Sequence, residues 1–337
     1  MSSISQARTA ATGPAFLSGR RLRKIQEAGL GYLFLLPAFG ILAAFEFIPV
    51  FYGFSISLCT NYKIKFAPDE SCVWGLAYYL RAFKDSEMWH SLSVTVWYAL
   101  LSVPIQLAIA LVLAYLLFQN IRGKSIYRVL FFMPYITSTV ASAAVWAFLY
   151  NPDKGLINGI LNGLGIEGLR WLGEPRGIFD LMASSAGIHL PEWAGGPSLA
   201  LTSIIIYTTW VFVGYDTTIF LAGLGNIPNE LYEAARIDGA NGWQLFRRIT
   251  VPLLSPTTFF LLIYTVIGTF KAFNHIYVMT LGGPGNATTT TAIMIFKQMY
   301  EFTRYGYSAA LSFILFIVIL SLTIVQNRVA GSRVVYS

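Results

Sequence analysis

Residues 93–117 read SVTVWYALLSVPIQLAIALVLAYLL, an apolar run without one charged side chain. A helix needs about 20 mostly apolar residues to cross a hydrocarbon core roughly 30 Å thick, and this run is long enough. Five more runs qualify, at 30–52, 129–150, 199–221, 257–280 and 309–326. The run at 30–52 is no cleaved signal peptide, because it continues through Phe45 to Phe51 without a small-residue cleavage site. Composition agrees: 55% of the 337 residues are hydrophobic and only 12% are charged. A soluble domain uses roughly twice that share of charge to wet its surface. The expected fold is all-α and integral to the membrane, with six transmembrane helices. A soluble enzyme is excluded.

Lys and Arg set the expected orientation. Arg8, Arg20, Arg21, Arg23 and Lys24 precede the first run; Arg122, Lys124 and Arg128 follow the second. Arg236, Arg247 and Arg248 follow the fourth, and Arg328 and Arg333 the last. These thirteen basic residues share one side with four acids, Glu27, Glu230, Glu233 and Asp238, whereas the opposite loops hold nine basic and ten acidic residues. The basic side is expected to be cytoplasmic and to hold both termini. The resulting map is a basic tail over 1–28, a transmembrane domain over 29–330 with an external loop at 151–197, and a short tail over 331–337. The net charge of +7 is thereby a topology signal, and no nucleic-acid partner is expected.

Two cysteines and the dispersed His90, His189 and His275 leave no metal site to assemble. Cys59 and Cys72 share the first external loop, where they either pair or stay as thiols; spacing does not decide. The loop at 151–197 is rich in Gly, Pro and Trp, including Trp171 and Trp193. It reads as a folded cap or as a passive insertion.

The loop at 226–256 says most about function. Pro228, Glu230 and Glu233 suit a helix start, and Leu231, Ala234 and Ala235 recur at the spacing of one face. Gly239 stops this helix. Asn241 with Gln244 fits a capping box opening a second helix, whose Trp243 and Phe246 share a face. Arg247 and Arg248 suit its C-terminal end, and Pro252 and Pro256 are expected to terminate the segment. Such a hinged pair either lies on the lipid surface or presents a knuckle to a partner.

Glu233-Ala234-Ala235, three residues, Gly239, nine residues and then Ile249-Thr250-Val251-Pro252 resembles the EAA loop of ABC-importer permeases. Val251 stands where leucine is usual. Leu221-Ala222-Gly223-Leu224, Tyr277-Val278-Met279-Thr280, Gly282-Gly283-Pro284-Gly285 and Gly306-Tyr307-Ser308-Ala309-Ala310 are similar to the carbohydrate-importer branch of that family. So is Asn151-Pro152-Asp153-Lys154-Gly155-Leu156-Ile157-Asn158. The resemblance implies a permease in the bacterial inner membrane that pairs with a second, non-identical permease subunit. It also implies two ATPase subunits beneath the pair and an extracytoplasmic solute-binding protein above it. Glu233, Ala234, Ala235, Asp238 and Gly239 would form the ATPase-coupling element, with Glu233 facing an ATPase arginine. No cofactor is expected in this chain: Gly123-Lys124-Ser125 looks like the end of a P-loop, but Phe118 stands where its first glycine is required.

Ionisable residues inside spans default to functional candidates. Glu46 lies near the external end of its run, within reach of water. Asp216 and Lys271 fall at depths differing by roughly 13 Å at 1.5 Å per residue, so direct pairing is not expected. Lys271, Asn274 and His275 follow i, i+3, i+4 spacing with Tyr264 one face earlier, while Tyr215 adjoins Asp216. This set suits a sugar path, whose hydroxyls need hydrogen bonds and whose rings stack on aromatics, or else polar helix–helix packing. The competing function is a stand-alone carrier or channel, but the halves show no clear internal repeat. An integral-membrane enzyme is weaker still, for want of a catalytic set.

Overall fold

The computed structural model of this chain describes residues 19–63, 71–119, 121–185, 187, 191 and 194–331. Arg8, His189, Trp193 and Arg333 lie outside them. Two compact units divide the chain, the first ending at Ser55 and the second beginning at Ile56. In the first, α1 (Gly19–Leu42) passes through a π-helical turn, Ala43–Phe47, into α2 (Ile48–Leu58). Residues Gln26–Leu58 together are long and apolar enough to cross a membrane. The π turn has a cause in sequence: Pro49 has no N–H to donate, so the ladder slips and Ile48 bonds back to the Ala43 carbonyl.

The second unit begins with α3 (Ala77–Lys84), which leads into α4 (Ser86–Phe118). Asp85 starts α4 by accepting the Glu87 amide at 3.0 Å. Helices α5 (Lys124–Ile136) and α6 (Thr139–Leu149) follow, then the short α7 (Leu156–Gly163) and α8 (Ile178–Ser185). The central helix is α9 (Leu199–Gly225), capped by Ser198 through the Leu201 amide at 3.0 Å. After it come α10 (Asn229–Ile237), α11 (Gly242–Leu245), a π turn at Phe246–Thr250, α12 (Val251–Leu253) and α13 (Ser255–Phe270). Then follow α14 (Asn274–Thr280), α15 (Thr291–Phe296), another π turn at Lys297–Glu301, and α16 (Tyr305–Val329).

Four helices are individually long and apolar enough to span a membrane, and two bent pairs bring the number to six among the described residues. The bent pairs correct the straight spans expected from sequence. The run at 129–150 is α5 and α6, bent by 96° at Thr137–Ser138. The run at 257–280 is α13, which stops at Phe270, followed by the separate α14. Pro252 and Pro256 do not end the preceding segment. The helix runs on through α12 and bends by 63° into α13, where Pro256 cannot donate to the carbonyl of Pro252. Pro252 also follows its π turn in the register that Pro49 follows the first: Val251 bonds back to the Phe246 carbonyl.

Helices α4, α9 and α13 pack around one core. Ala110 and Ala114 on α4 are fully buried beside Phe220 and Leu224 of α9 and Leu261 of α13. Small residues let the backbones approach closely, as lipid supplies little hydrophobic drive for helices to associate. Two buried hydroxyls inside α9 bond the preceding turn, Thr208 on the Ile204 carbonyl at 2.8 Å and Thr217 on the Val213 carbonyl at 2.7 Å. The buried Thr209 Oγ1, by contrast, has no partner among the described residues.

The loop after α6 is folded among the described residues, holding α7 and α8. Asn158 is 3% exposed and fills all its hydrogen-bonding positions. It donates to the carbonyls of Pro152 at 3.0 Å and Leu169 at 2.9 Å, and accepts from the Leu169 amide at 3.1 Å and the Trp171 indole at 2.8 Å. Removing its amide strands several part-buried groups, each costing less than the roughly 1–3 kcal/mol of a fully buried one. Asn158→Ala is therefore expected to open the segment between α7 and Trp171 to limited proteolysis, while Asn162→Ala leaves the cleavage pattern unchanged. Cys59 and Cys72 form a disulfide. Beside it Thr60 donates to the Val73 carbonyl at 2.9 Å and Gly75 to the Leu58 carbonyl at 2.8 Å.

Candidate functional site: a polar cavity and a hinged loop

Where α13 ends, the chain leaves helical geometry for three residues, Lys271–Phe273, before α14 begins. Thr290 bonds the freed Ala272 carbonyl at 3.4 Å. A cavity of about 460 Å³ opens at this break, walled by α4, α9, α13 and α14. On its α4–α9 side lie Gln106 and Asp216, 2% and 1% exposed, with the Gln106 amide donating to the carboxylate at 2.5 Å. The Gln106 Oε1 and Thr265 Oγ1 atoms are buried without a hydrogen-bond partner among the described residues, and both side chains line the cavity. Three tyrosines form an adjoining aromatic wall. Tyr135 stacks on Tyr215 at 4.7 Å between centroids, and Tyr215 meets Tyr264 at 5.4 Å. Such a cavity offers hydrogen-bond donors, acceptors and ring faces together.

All six sequence-derived path residues line this one cavity: Tyr215, Asp216, Tyr264, Lys271, Asn274 and His275. They do not reach it as expected, for Lys271, Asn274 and His275 stand across a helix break, not on one continuous stripe. Asp216 and Lys271 share the cavity, and no ion pair joins them among the described residues. His275 is buried, its Nε2 lying 3.0 Å from the Tyr98 hydroxyl and 3.3 Å from that of Thr208. Those bonds pin α14 to α4 and α9 and leave the imidazole committed to the wall. Gln106, Thr265 and Tyr135 went unnoticed in the sequence. Gln106 carried a usable signal, as the lone carboxamide in residues 93–117.

The second candidate site is the loop from α10 to α12. Gly239 has φ +81°. Its amide bonds the Arg236 carbonyl at 3.0 Å and the Ala240 amide bonds that of Ala235 at 2.9 Å. That is the paired pattern of a Schellman stop, and it suits glycine. Asn241 and Gln244 then close a reciprocal capping box at 2.8 and 2.9 Å. Trp243 stacks on Phe246 at 5.7 Å, and Phe246 meets Tyr115 of α4 edge-on at 4.8 Å. Tyr232 ties α10 down through the Thr250 hydroxyl at 3.0 Å.

Leu231 and Ala234 face outward while Ala235 is half-buried, so the apolar residues of α10 do not all turn inward. Ile237 is 86% and Trp243 67% exposed. Glu233 makes no ion pair within the described residues and borders a hollow shared with Tyr115, Tyr232 and Arg236. The loop thus offers a carboxylate and exposed apolar side chains on a hinge.

A family model described as "Binding-protein-dependent transport system inner membrane component" matches residues 92–333. The trehalose/maltose transport system permease protein MalF of Thermococcus litoralis is 36% identical over 310 residues, covering 92% of this chain and 96% of its own. The sn-glycerol-3-phosphate transport system permease protein UgpA of Agrobacterium fabrum is 34% identical over 263 residues, covering 78% and 82%. Among solved structures, a chain of a bacterial ABC transporter involved in the import of the acidic polysaccharide alginate superposes with a TM-score of 0.75. It is 20% identical and the match covers 93% of this chain and 99% of that one, a likeness of fold.

Proposed function

Because this chain belongs to the family of binding-protein-dependent transport system inner membrane components, we propose that it is the permease subunit of an ABC importer for a sugar or related polyhydroxylated solute. It resides in the bacterial inner membrane with both termini cytoplasmic, pairs with a second permease subunit, and receives solute from an extracytoplasmic binding protein. ATP is hydrolysed in two separate ATPase subunits seated against α10, where Glu233, Ala234, Ala235, Asp238 and Gly239 transmit the stroke. The chain itself catalyses no reaction. The solute passes the cavity between α4, α9, α13 and α14.

The cavity carries this reading. A buried amide–carboxylate pair, an orphan carbonyl oxygen and a wall of tyrosines are costly inside a membrane unless a hydrogen-bonding solute meets them. Sugar rings stack on aromatic faces and their hydroxyls both donate and accept. The chain alone in nanodiscs is expected to show neither ATP hydrolysis nor vectorial sugar uptake; robust uptake by the lone chain would instead establish an ATP-independent carrier. In the assembled transporter, Lys271→Met is expected to lower uptake severalfold while basal ATP hydrolysis and subunit assembly stay at wild-type levels. Normal uptake by that variant places the path elsewhere.

A further inference from the structure

Helix α3 carries an apolar face that stays exposed among the described residues of its own unit. Leu76, Leu80 and Phe83 recur at i, i+4, i+7, on one side of the helix, and are 61%, 63% and 57% exposed. The opposite side is seated: Ala82 is fully buried and Tyr78 packs its ring at 6.2 Å from that of Tyr307 on α16. Gly306 makes that seat possible, since a Cβ there would collide with the Tyr78 ring. Between the two faces stand Arg81, over the Tyr307 ring at 4.5 Å, and the exposed Lys84. Tryptophans bracket the apolar face, Trp74 at 65% and Trp89 at 48% exposure.

What covers this face follows from where it leads. Trp89 donates its indole N–H to the Phe83 carbonyl at 2.9 Å, and the two rings lie 6.4 Å apart. The face of α3 therefore continues onto α4, where Trp89, Val96 and Leu100 at i, i+7, i+11 are exposed on one side, with Ser93 between the first two. Helix α4 has 33 residues and is about 50 Å long at 1.5 Å per residue, longer than the hydrocarbon core. With the uninterrupted apolar run beginning at residue 93, Trp89 sits about 6 Å beyond it, at headgroup depth. Aromatic rings concentrate at that level, and an amphipathic helix lies there with its apolar face sunk 5–10 Å. Arg81 and Lys84 are placed to lift their charges toward lipid phosphates.

We infer that α3 is a membrane-interface anchor whose Leu76–Leu80–Phe83 face is occupied by lipid, at the end of α4 opposite the hinged loop. The disulfide between Cys59 and Cys72 leaves both native cysteines closed to labelling, so single cysteines can be introduced cleanly. Leu76→Cys, Leu80→Cys and Phe83→Cys are each spin-labelled in the full chain in phosphatidylcholine–phosphatidylglycerol vesicles, with Leu100→Cys as the lipid-facing reference. All three labels are expected to collide several times more often with oxygen, which partitions into lipid, than with a water-soluble nickel chelate. Their depth should be shallower than that at Leu100. Frequent collision with the chelate means that α3 is exposed to water and overturns the inference. Protection from both reagents means that protein covers the face and overturns it equally. The positions are exposed and belong to none of the buried clusters among the described residues, so the variants are expected to retain the fold.

Discussion

Adding one methyl group at Gly214 is expected to cost this protein more than any other single-carbon change in the described core. A Cβ built there would run into the backbone carbonyl oxygen of Phe131 and reach 3.0 Å from the Cα of Phe132. Those are backbone atoms of α5, and no rotamer change moves them aside. Overpacking of a well-filled interior typically costs 1–3 kcal/mol, and a clash with backbone belongs at or above the upper end. Helix α5 also carries Tyr135, which stacks on Tyr215, the residue next to Gly214. Displacing α5 therefore tears the tyrosine wall of the cavity as well as the helix contact. For Gly214→Ala we expect a lower thermal unfolding temperature in detergent and loss of most uptake in the assembled transporter. Gly225, on the same helix, has nothing within 4 Å of its Cβ position, so Gly225→Ala is the control and should match wild type. Equal unfolding temperatures for the two variants would contradict the close crossing of α5 and α9.

The six apolar runs were legible because span length is a one-dimensional property: lipid thickness demands it and composition reveals it. Their bends were not. At Thr137–Ser138 the chain turns by 96° between two apolar stretches, and hydropathy averaged over a window is blind to direction. Pro134 and Pro252 gave partial notice, as a missing N–H must break or shift a helix ladder somewhere nearby. The break at Lys271–Phe273 had no such mark. It depends on Thr290, eighteen residues away, accepting the role of partner to the Ala272 carbonyl. The hinged loop was legible in detail, because Gly239, Asn241 and Gln244 act on their immediate neighbours. The cavity was legible only in part. Asp216 and Lys271 announced themselves by charge, but the pairing of Asp216 with Gln106 joins residues 110 positions apart. His275 was read by type, and type alone did not reveal that Tyr98 and Thr208 already hold it.

The same hinged loop yields the remaining prediction, which bears on coupling rather than on the fold. Glu233 is exposed and makes no ion pair among the described residues, so removing its carboxylate breaks no described contact. Under the importer reading that carboxylate meets an arginine of the ATPase, and truncating one partner of a desolvated pair costs on the order of 3–5 kcal/mol. Glu233→Ala is accordingly expected to lose co-purification of the ATPase while insertion and thermal stability stay at wild-type values. Gly239 acts through its backbone. With φ at +81° and nothing within 4 Å of its Cβ position, a side chain there meets no neighbour and pays only the conformational strain, roughly 1–2 kcal/mol. Asp tolerates the left-handed region better than a β-branched residue does. Gly239→Val should therefore disturb the loop more than Gly239→Asp, swinging Trp243 and the second helix out of register with α10. For both substitutions the ATPase should still bind, and substrate should no longer stimulate its hydrolysis, more completely in the valine variant. The measurements are ATPase co-purification and substrate-stimulated hydrolysis in reconstituted transporter. Wild-type values for Glu233→Ala and Gly239→Val in both assays would remove the coupling role from this loop and leave a helix pair lying on the lipid surface as its better description.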